Sequence, residues 1–265
     1  IQAEKESGKN FKIIEIPKSS PKKILKNLTL GLDPKLFTSA LLKNFFSKSI
    51  KFNFIYSNLV DEIFKQQTFI KKPFFSLSKK VVGESHYSKI NKVRFFLRSK
   101  KADFILITAP ENVAWILNIR GYDSPYSPMP NCYLLLGKKN ELYLVSEKRK
   151  ALKLIKEKKI TKSQLIISSE LLSKIKKLNN KNFIVDSKTC SIFYEKIIKS
   201  KCKIIGTEDP CYHLKSIKNN TELKNMSEAH FYDGLALTRF IFWLKNNKRK
   251  RITEFDAQNK LEKFR

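Results

Sequence analysis

Glycine is scarce here, with 7 in 265 residues. Loops that cradle phosphate need several glycines close together, because only a residue without Cβ lets the backbone approach a pyrophosphate. Neither a P-loop nor a dinucleotide fingerprint is present, and a nucleophile elbow and a zinc-protease HExxH are missing as well. Cysteine is sparse too. Cys132, Cys190, Cys202 and Cys211 form no CxxC pair and sit in apolar or strand-like surroundings; they read as reduced core thiols of a cytoplasmic protein rather than a disulfide scaffold. No apolar run approaches the roughly 18 uncharged residues of a membrane span, since lysine interrupts stretches such as those around 52–55 and 104–107. No apolar h-region follows Ile1, so the start does not read as a secretory signal, and the sequence is expected to be part of a longer chain.

Acidic residues are also few: 24 Asp and Glu against 54 Lys and Arg, a formal net charge of +30. Such an excess first suggests nucleic acid or an anionic membrane surface. Its distribution argues otherwise, because it is overwhelmingly lysine, is spread along the whole chain and comes with much Asn and Ile. Phosphate recognition recruits arginine forks clustered on one face. The densest basic runs, 156–159, 174–177 and 248–251, each end a helical pattern, where cations face the helix dipole and water. No specific nucleic-acid partner is expected.

What the sequence does have is apolar material: a 42% hydrophobic fraction and 20 phenylalanines, enough for real cores. The first ~25 residues, with Pro17 and Pro21, show little periodicity. Residues 28–32 and 52–56 read as strands around a helix carrying Leu36, Leu41, Leu42 and Phe45, with one or two further helical turns at 59–64 and a linker at 71–80. From Ser85 a second unit begins. Ser88 is expected to cap a helix with Ile90, Val93, Phe96 and Leu97 on its apolar face, followed by a strand at 104–108, a short helix at 113–119, a Pro-rich loop at 120–130 and a hairpin at 133–145. Helices at 148–158, 171–178 and 192–199 alternate with strands at 165–167, 183–185 and 203–205, the pattern of helices on a mixed, largely parallel sheet. Asp209-Pro210 marks a boundary. Beyond it, Asn220 is expected to cap a long helix to about 246, with Leu223, Met226, His230, Leu237, Ile241 and Leu244 on one stripe; Thr253 and Asp256 start another.

The search for chemistry finds little. His86 reads as a surface or cap residue, and His213 as packed or backbone-hydrogen-bonded at a domain junction. His230 and Asp233 share a helix face and two such groups can share a metal or a proton, but two ligands make no site, and His230 on the apolar stripe reads as a core histidine. Asp123, Asp186 and Asp209 stand alone at loop or strand ends, where turns and caps use Asp. The loop Arg120-Gly121-Tyr122-Asp123-Ser124-Pro125-Tyr126-Ser127-Pro128 differs in kind. It reads either as a loop pinned by an Arg120–Asp123 ion pair, or as the wall of a cleft or an oligomer contact.

Ala114-Trp115-Ile116-Leu117-Asn118-Ile119-Arg120-Gly121-Tyr122-Asp123, followed by Ser127-Pro128, resembles a signature region of the aminopeptidase P family, the Xaa-Pro aminopeptidases, in their long three-domain form. Gly31-Leu32-Asp33-Pro34 and Asn58-Leu59-Val60-Asp61 are similar to the end of that family's first domain. Ile217 to Leu223, then Met226, Ala229-His230, Asp233-Gly234, Ala236-Leu237 and Phe240 to Leu244, are similar to the first helix of its catalytic domain, and Ile252-Thr253-Glu254 with Lys260-Leu261-Glu262 to the next. The resemblance implies an α/β chain of creatinase/prolidase N-terminal-type domains with mixed sheet and flanking helices, followed by the first helices of a pita-bread α+β domain. The implied boundaries are 1–80 for the end of a first creatinase-like domain plus linker, 81–208 for a second one, and 209–265 for the start of the pita-bread domain.

The family resemblance also implies a metallopeptidase that releases the N-terminal residue from peptides with proline second. It uses two divalent metal ions, usually manganese, held by two Asp, two Glu and one His, and is commonly a cytoplasmic homodimer. Those ligands lie after the second catalytic-domain helix, so no residue of this sequence carries one over, and the segment alone is expected to be inactive. His230 and Asp233 match helix positions that are not ligands. The alternative is a non-catalytic relative that binds peptides or proteins.

Overall fold

The tetrapeptide Phe104-Ile105-Leu106-Ile107 has no polar position, and a strand of that kind is stable only when both of its faces are covered. In the computed structural model, which describes residues 2–16, 18–64, 72–247 and 251–265, it lies inside a six-stranded sheet. Pro17, Lys71 and Lys248 to Lys250 of the last basic run lie outside the described residues.

In chain order, the amino-terminal part holds helices α1 (Gln2–Ser7) and α2 (Pro21–Ile24), strand β1 (Thr29–Leu32), helix α3 (Ser39–Phe45), strand β2 (Lys51–Phe54) and helix α4 (Leu59–Ile63). The central part runs β3 (Phe75–Ser76), α5 (Lys79–Val82), α6 (His86–Ser99), β4 (Phe104–Ile107), α7 (Pro110–Leu117), β5 (Ile119–Arg120), β6 (Tyr133–Gly137), β7 (Leu142–Val145), α8 (Lys148–Lys156), β8 (Leu165–Ile166), α9 (Ser168–Lys177), β9 (Asn182–Val185), α10 (Ile192–Lys199) and β10 (Lys203–Gly206). Helices α11 (Pro210–Ser216), α12 (Asn220–Asn246) and α13 (Glu254–Phe264) follow.

The sheet order is β10-β9-β4-β6-β7-β8, with β10–β9, β9–β4 and β7–β8 parallel and the β4–β6–β7 centre antiparallel, so the sheet is mixed as expected. Side chains alternate across it. Ile105, Ile107, Leu134 and Leu136 face a layer made by Val93 and Leu97 of α6, Val113 and Ile116 of α7, and Ala151 and Leu154 of α8. Phe104, Leu106 and Leu135 face Leu171 and Ile175 of α9 and Tyr194 and Ile198 of α10. Phe104 and Phe183 sit in register on neighbouring parallel strands and stack with centroids 5.2 Å apart. The result is a three-layer α/β/α arrangement. Each fully buried aliphatic side chain in it contributes about 1.5–3 kcal/mol.

The amino-terminal βαβ piece is smaller. Its parallel strands β1 and β2 share a minor core of Leu32 and Leu42, closed by Ile192 from α10. Backbone bonds from Ile192 N to Phe37 O, Phe193 N to Pro34 O and Ala40 N to Ser187 O fasten it to the start of α10.

Three local expectations shift. Ser85, not Ser88, caps α6, because its Oγ accepts from the Ser88 N–H. Asn219, not Asn220, caps α12, in a capping box closed by Glu222. The described part of the expected 71–80 linker is ordered into the fold: Phe74 is fully buried, and β3 pairs antiparallel with β5.

Candidate functional site

The carboxyl end of α7 carries the Trp-Asn-Arg segment, and its local chemistry is unusual. A helix leaves its last carbonyls without partners. Here Asn118 ends α7 in the left-handed region at φ 53°, a conformation that Asn tolerates better than most non-glycine residues, and three cations take the exposed carbonyl groups. Lys89 Nζ donates to Trp115 O at 3.2 Å and to Asn118 Oδ1 at 2.7 Å, and lies 4.5 Å from the Trp115 ring centroid. Lys159 Nζ donates to Leu117 O and Asn118 O at 3.2 and 3.1 Å. Arg120 Nη1 donates to Ala114 O and Ile119 O at 3.3 and 2.8 Å. None of the three has a carboxylate in contact among the described residues.

Burial dominates their electrostatics. It pushes the Lys89 ammonium down to about 8, with Glu222 and Glu84 opposing the shift at longer range and Arg120 and Lys92 adding to it. Burial also lowers Lys159, against the charge of Glu157, and lowers Arg120. His86, the first residue of α6, is lowered by burial and by the Lys159 charge; its buried Nε2 has no partner among the described residues.

The loop that follows is stiff. At Gly121 a Cβ would come within 2.7 Å of Pro130 Cα and 2.8 Å of Met129 O, so no other residue fits without moving backbone. Gly121 N and Asp123 N donate to Pro128 O and Met129 O, each at 3.2 Å. Asp123 does not pair with Arg120 as the sequence suggested. Arg120 folds back onto α7, and Asp123 instead accepts from Lys150 Nζ of α8 at 2.7 Å and from Asn131 N at 2.7 Å. Both side chains of that ion pair are about nine-tenths buried, at 8% and 10% exposure. Burial pulls Lys150 down, but the bond and charge of Asp123 outweigh it and hold the ammonium above its ordinary range. On this base Tyr122 packs 5.2 Å from the Phe75 ring, while Tyr126 at the apex is 93% exposed. The arrangement holds no nucleophile with an adjacent base. It can present a rigid aromatic and proline surface to a ligand.

A further network ties this region to α12. Asn118 Nδ2 donates to Glu84 O at 2.8 Å, Asn219 Nδ2 to Val82 O at 2.9 Å and Asn225 Nδ2 to Val81 O at 2.9 Å. Gly83, at φ 71°, caps α5 in the left-handed region, and a side chain there would collide with the Asn219 amide. The turn 81–84 is thus a clasp between the Trp-Asn-Arg segment and the start of the long helix.

The other candidates fall elsewhere. Asp186 and Asp209 are not alone: Asp186 Oδ2 accepts from Asp209 N at 3.0 Å, and Asp209 caps α11 at Cys211 N and accepts from Asn112 Nδ2 at 2.7 Å. Burial raises the Asp209 carboxyl, against those bonds. His213 is exposed on α11, so of its two expected roles the packed one does not hold. His230 is exposed and not a core histidine, because among the described residues only α13 and α5 lie extensively along α12; Asp233 is held by Arg265 at 2.7 Å. No group of three or more His, Cys, Asp or Glu suited to a metal occurs among the described residues. All four cysteines are free and buried, and no described helix is long and apolar enough to cross a membrane.

Sequence reasoning missed Lys89, Lys150 and Lys159. Lys89 had a readable signal, since it lies at helical spacing from Val93 and Phe96 on the apolar stripe of α6. The other two look like any lysine of α8 and the loop after it.

Comparison with known proteins places this site in context. Residues 65–222 match the family model of the creatinase/prolidase N-terminal domain. An Xaa-Pro aminopeptidase 1 of Dictyostelium discoideum is 29% identical over all of this chain and 46% of its own length. An uncharacterized peptidase of Schizosaccharomyces pombe is 29% identical over 90% of this chain and 41% of its own length. Among solved structures, the X-prolyl aminopeptidase of Caenorhabditis elegans, described as a cytosolic enzyme with a di-nuclear active site, superposes with a TM-score of 0.76 at 26% identity, over 91% of this chain and 42% of its own. The Xaa-Pro dipeptidase of Bacillus anthracis, at 19% identity and a TM-score of 0.50, shares the fold. The chain spans less than half the length of each of these relatives. With the family model covering more than half of its residues, the chain belongs to the creatinase/prolidase N-terminal domain family.

Proposed function

We propose that this chain is the creatinase-like portion of an Xaa-Pro aminopeptidase, a hydrolase that frees the N-terminal residue of peptides whose second residue is proline. The observation that carries the reading is the agreement with the Caenorhabditis elegans enzyme over 91% of this chain. In this reading 1–80 closes a first creatinase-like domain, 81–208 is a second, and 209–265 opens a pita-bread domain. The whole enzyme works as a cytoplasmic homodimer with two divalent ions, manganese being the expected metal.

The residues present do not fit a dinuclear metal group. Asp233 is engaged by Arg265, His230 stands alone on an exposed helix face, and no cluster of three ligating side chains exists among the described residues. No hydrolytic step is therefore assigned to this chain. Its part is to offer a rigid wall: the loop 120–130, fixed by Gly121 and the buried Asp123–Lys150 pair, positions Tyr122 and Tyr126 toward bound peptide.

The chain alone, supplied with manganese and an Xaa-Pro peptide, is expected to show no turnover; turnover that depends on this chain would overturn the assignment. In a chimera, it would replace the corresponding part of the Dictyostelium enzyme. Manganese-dependent hydrolysis by that chimera supports the reading, whereas a folded chimera that binds proline peptides without cleaving them points to a binding module.

A further inference from the structure

Three cavities adjoin the exposed side of α6. One of about 1140 Å³ runs between α6 and α11, one of about 750 Å³ between α6 and the β6–β7 turn, and one of about 230 Å³ between α6 and the segment after α8. Asn91 lines all three, and Arg94 and Arg98 two each, so they adjoin one another around the exposed side of α6 and are treated together as one groove.

Its chemistry departs from the lysine background of the chain. Only eight of the 54 basic residues are arginine, yet Arg94 and Arg98 stand one helical turn apart in the middle cavity, opposite Lys138 and Lys139 of the hairpin turn. No carboxylate is among that cavity's lining residues; the large cavity has Glu208, paired with Lys188 at 2.9 Å, and the buried Asp209, held by Asn112 and Cys211 N. Nearby, Asp103 neutralises Lys138 at 2.7 Å and Glu141 lies close to Arg94, but Arg98, Lys101 and Lys139 have no ion pair among the described residues. Each guanidinium spends one N–H on a hairpin carbonyl, Arg94 Nε on Gly137 O and Arg98 Nη1 on Lys138 O, both at 3.4 Å. The other donors of both forks have no described partner.

Flat rings flank the cations. Phe95 is 68% exposed in the large cavity, and Tyr87 is 62% exposed in the small one. They are eight residues apart, roughly 12 Å along the helix, with Asn91 midway. A positive groove with donors along its floor and exposed rings spaced along its wall is the footprint of single-strand binding, in which phosphates meet the cations and bases stack on the rings. The cavity of about 530 Å³ between α8 and α9 is the internal contrast. It is lined by Lys148, Lys162 and Lys174 but has no arginine or aromatic ring, and its Glu170 pairs with Lys148 at 3.7 Å.

We propose that the α6 groove binds an extended single-stranded polynucleotide without base preference. The surface is assembled from four separate chain segments, α6, the hairpin turn, 158–164 and 207–214, of which only 158–164 overlaps a dense basic run, at Lys158 and Lys159. It is separate from the loop 120–130 and independent of the peptidase reading.

The test is fluorescence anisotropy of the 265-residue chain with a labelled 12-nucleotide oligo(U) across 50–300 mM KCl. Binding with a log–log salt slope of about −3 is expected, corresponding to about four phosphates. Arg94→Gln with Arg98→Gln is expected to weaken binding at least tenfold and to flatten the slope by about 1. Phe95→Ala, at an exposed position that should leave the melting transition unmoved, is expected to weaken oligo(U) about fivefold and to leave the binding of a polyglutamate peptide unchanged. Lys148→Gln, Lys162→Gln and Lys174→Gln together are the control and should change oligo(U) binding less than twofold. Equal losses in the control and groove variants would overturn the proposal. So would a Phe95→Ala variant that binds oligo(U) normally, or polyglutamate bound as tightly as oligo(U), the last pointing to an acidic protein segment.

Discussion

The six-stranded unit and the α12–α13 pair are both rich in apolar side chains, and they treat them in opposite ways. In the first, every position of β4 is buried and helices cover both faces of the sheet. In the second, Ala236 alone is buried among the described residues of α12, while Phe231, Tyr232 and Phe242 are 71%, 62% and 70% exposed. Composition therefore does not set burial. A second layer does, and among the described residues α12 packs extensively against α5 and α13 alone. What stabilises α12 locally is polar: its capping box and the clasp at Val81 and Val82.

The largest expected difference between the regions is in the core. Leu134→Ala, at a fully buried position, should lower unfolding stability by about 3–4 kcal/mol, whereas Leu237→Ala on α12, 42% exposed, should stay within about 0.5 kcal/mol. Urea denaturation of the two variants measures this, and equal losses would break the contrast.

The buried ion pair under the loop comes next. Asp123→Ala leaves the buried Lys150 ammonium with only the half-exposed Glu147, 3.6 Å away, and is expected to cost about 2–3 kcal/mol by urea denaturation. A loss below about 1 kcal/mol would mean that the loop is not anchored there.

Lys89 adds a pH dependence with a definite sign. Its folded value of about 8 lies below the roughly 10.4 of an unfolded lysine, so the unfolded chain binds more protons between the two. The cost of charging Lys89 in the fold is absent above the unfolded value, grows as pH falls toward 8 and is constant below that. Stability should thus rise with pH across this window relative to Lys89→Met, by up to about 3 kcal/mol. Parallel pH–stability curves for the two chains would contradict it.

The smallest effects belong to α12. Asn219→Ala is expected to cost about 1 kcal/mol through the lost cap, and Asp233→Asn, at a half-exposed ion pair, no more than about 0.5 kcal/mol. Chemical denaturation checks both; a larger loss at Asp233 would make the α12–α13 contact a true packing interface.

Much of this was legible beforehand because it is local. The β6–β7 hairpin, the α10 boundaries, the Thr253–Asp256 capping box and the end of α12 follow from periodicity, turn chemistry and caps acting within a few residues. The candidate site was legible by half. Gly121, Asp123 and the Trp-Asn-Arg segment stood out in the sequence, but their partners Lys89, Lys150 and Lys159 come from α6, α8 and the loop after it, at separations of 26–42 residues.

By itself the sequence determined the element types, the apolar faces, the membership of the Trp-Asn-Arg segment in its family and the scarcity of glycine, cysteine and ligating side chains. Only the tertiary structure decided which lysines are charged in water and which are buried against helix carbonyls, that Asp123 belongs to Lys150, and that Arg94 and Arg98 face the hairpin turn across a groove. The reason is physical. Propensity and periodicity act over one or two helical turns, whereas the environment of a charge depends on which distant elements close over it, and that is settled by the packing of the layers.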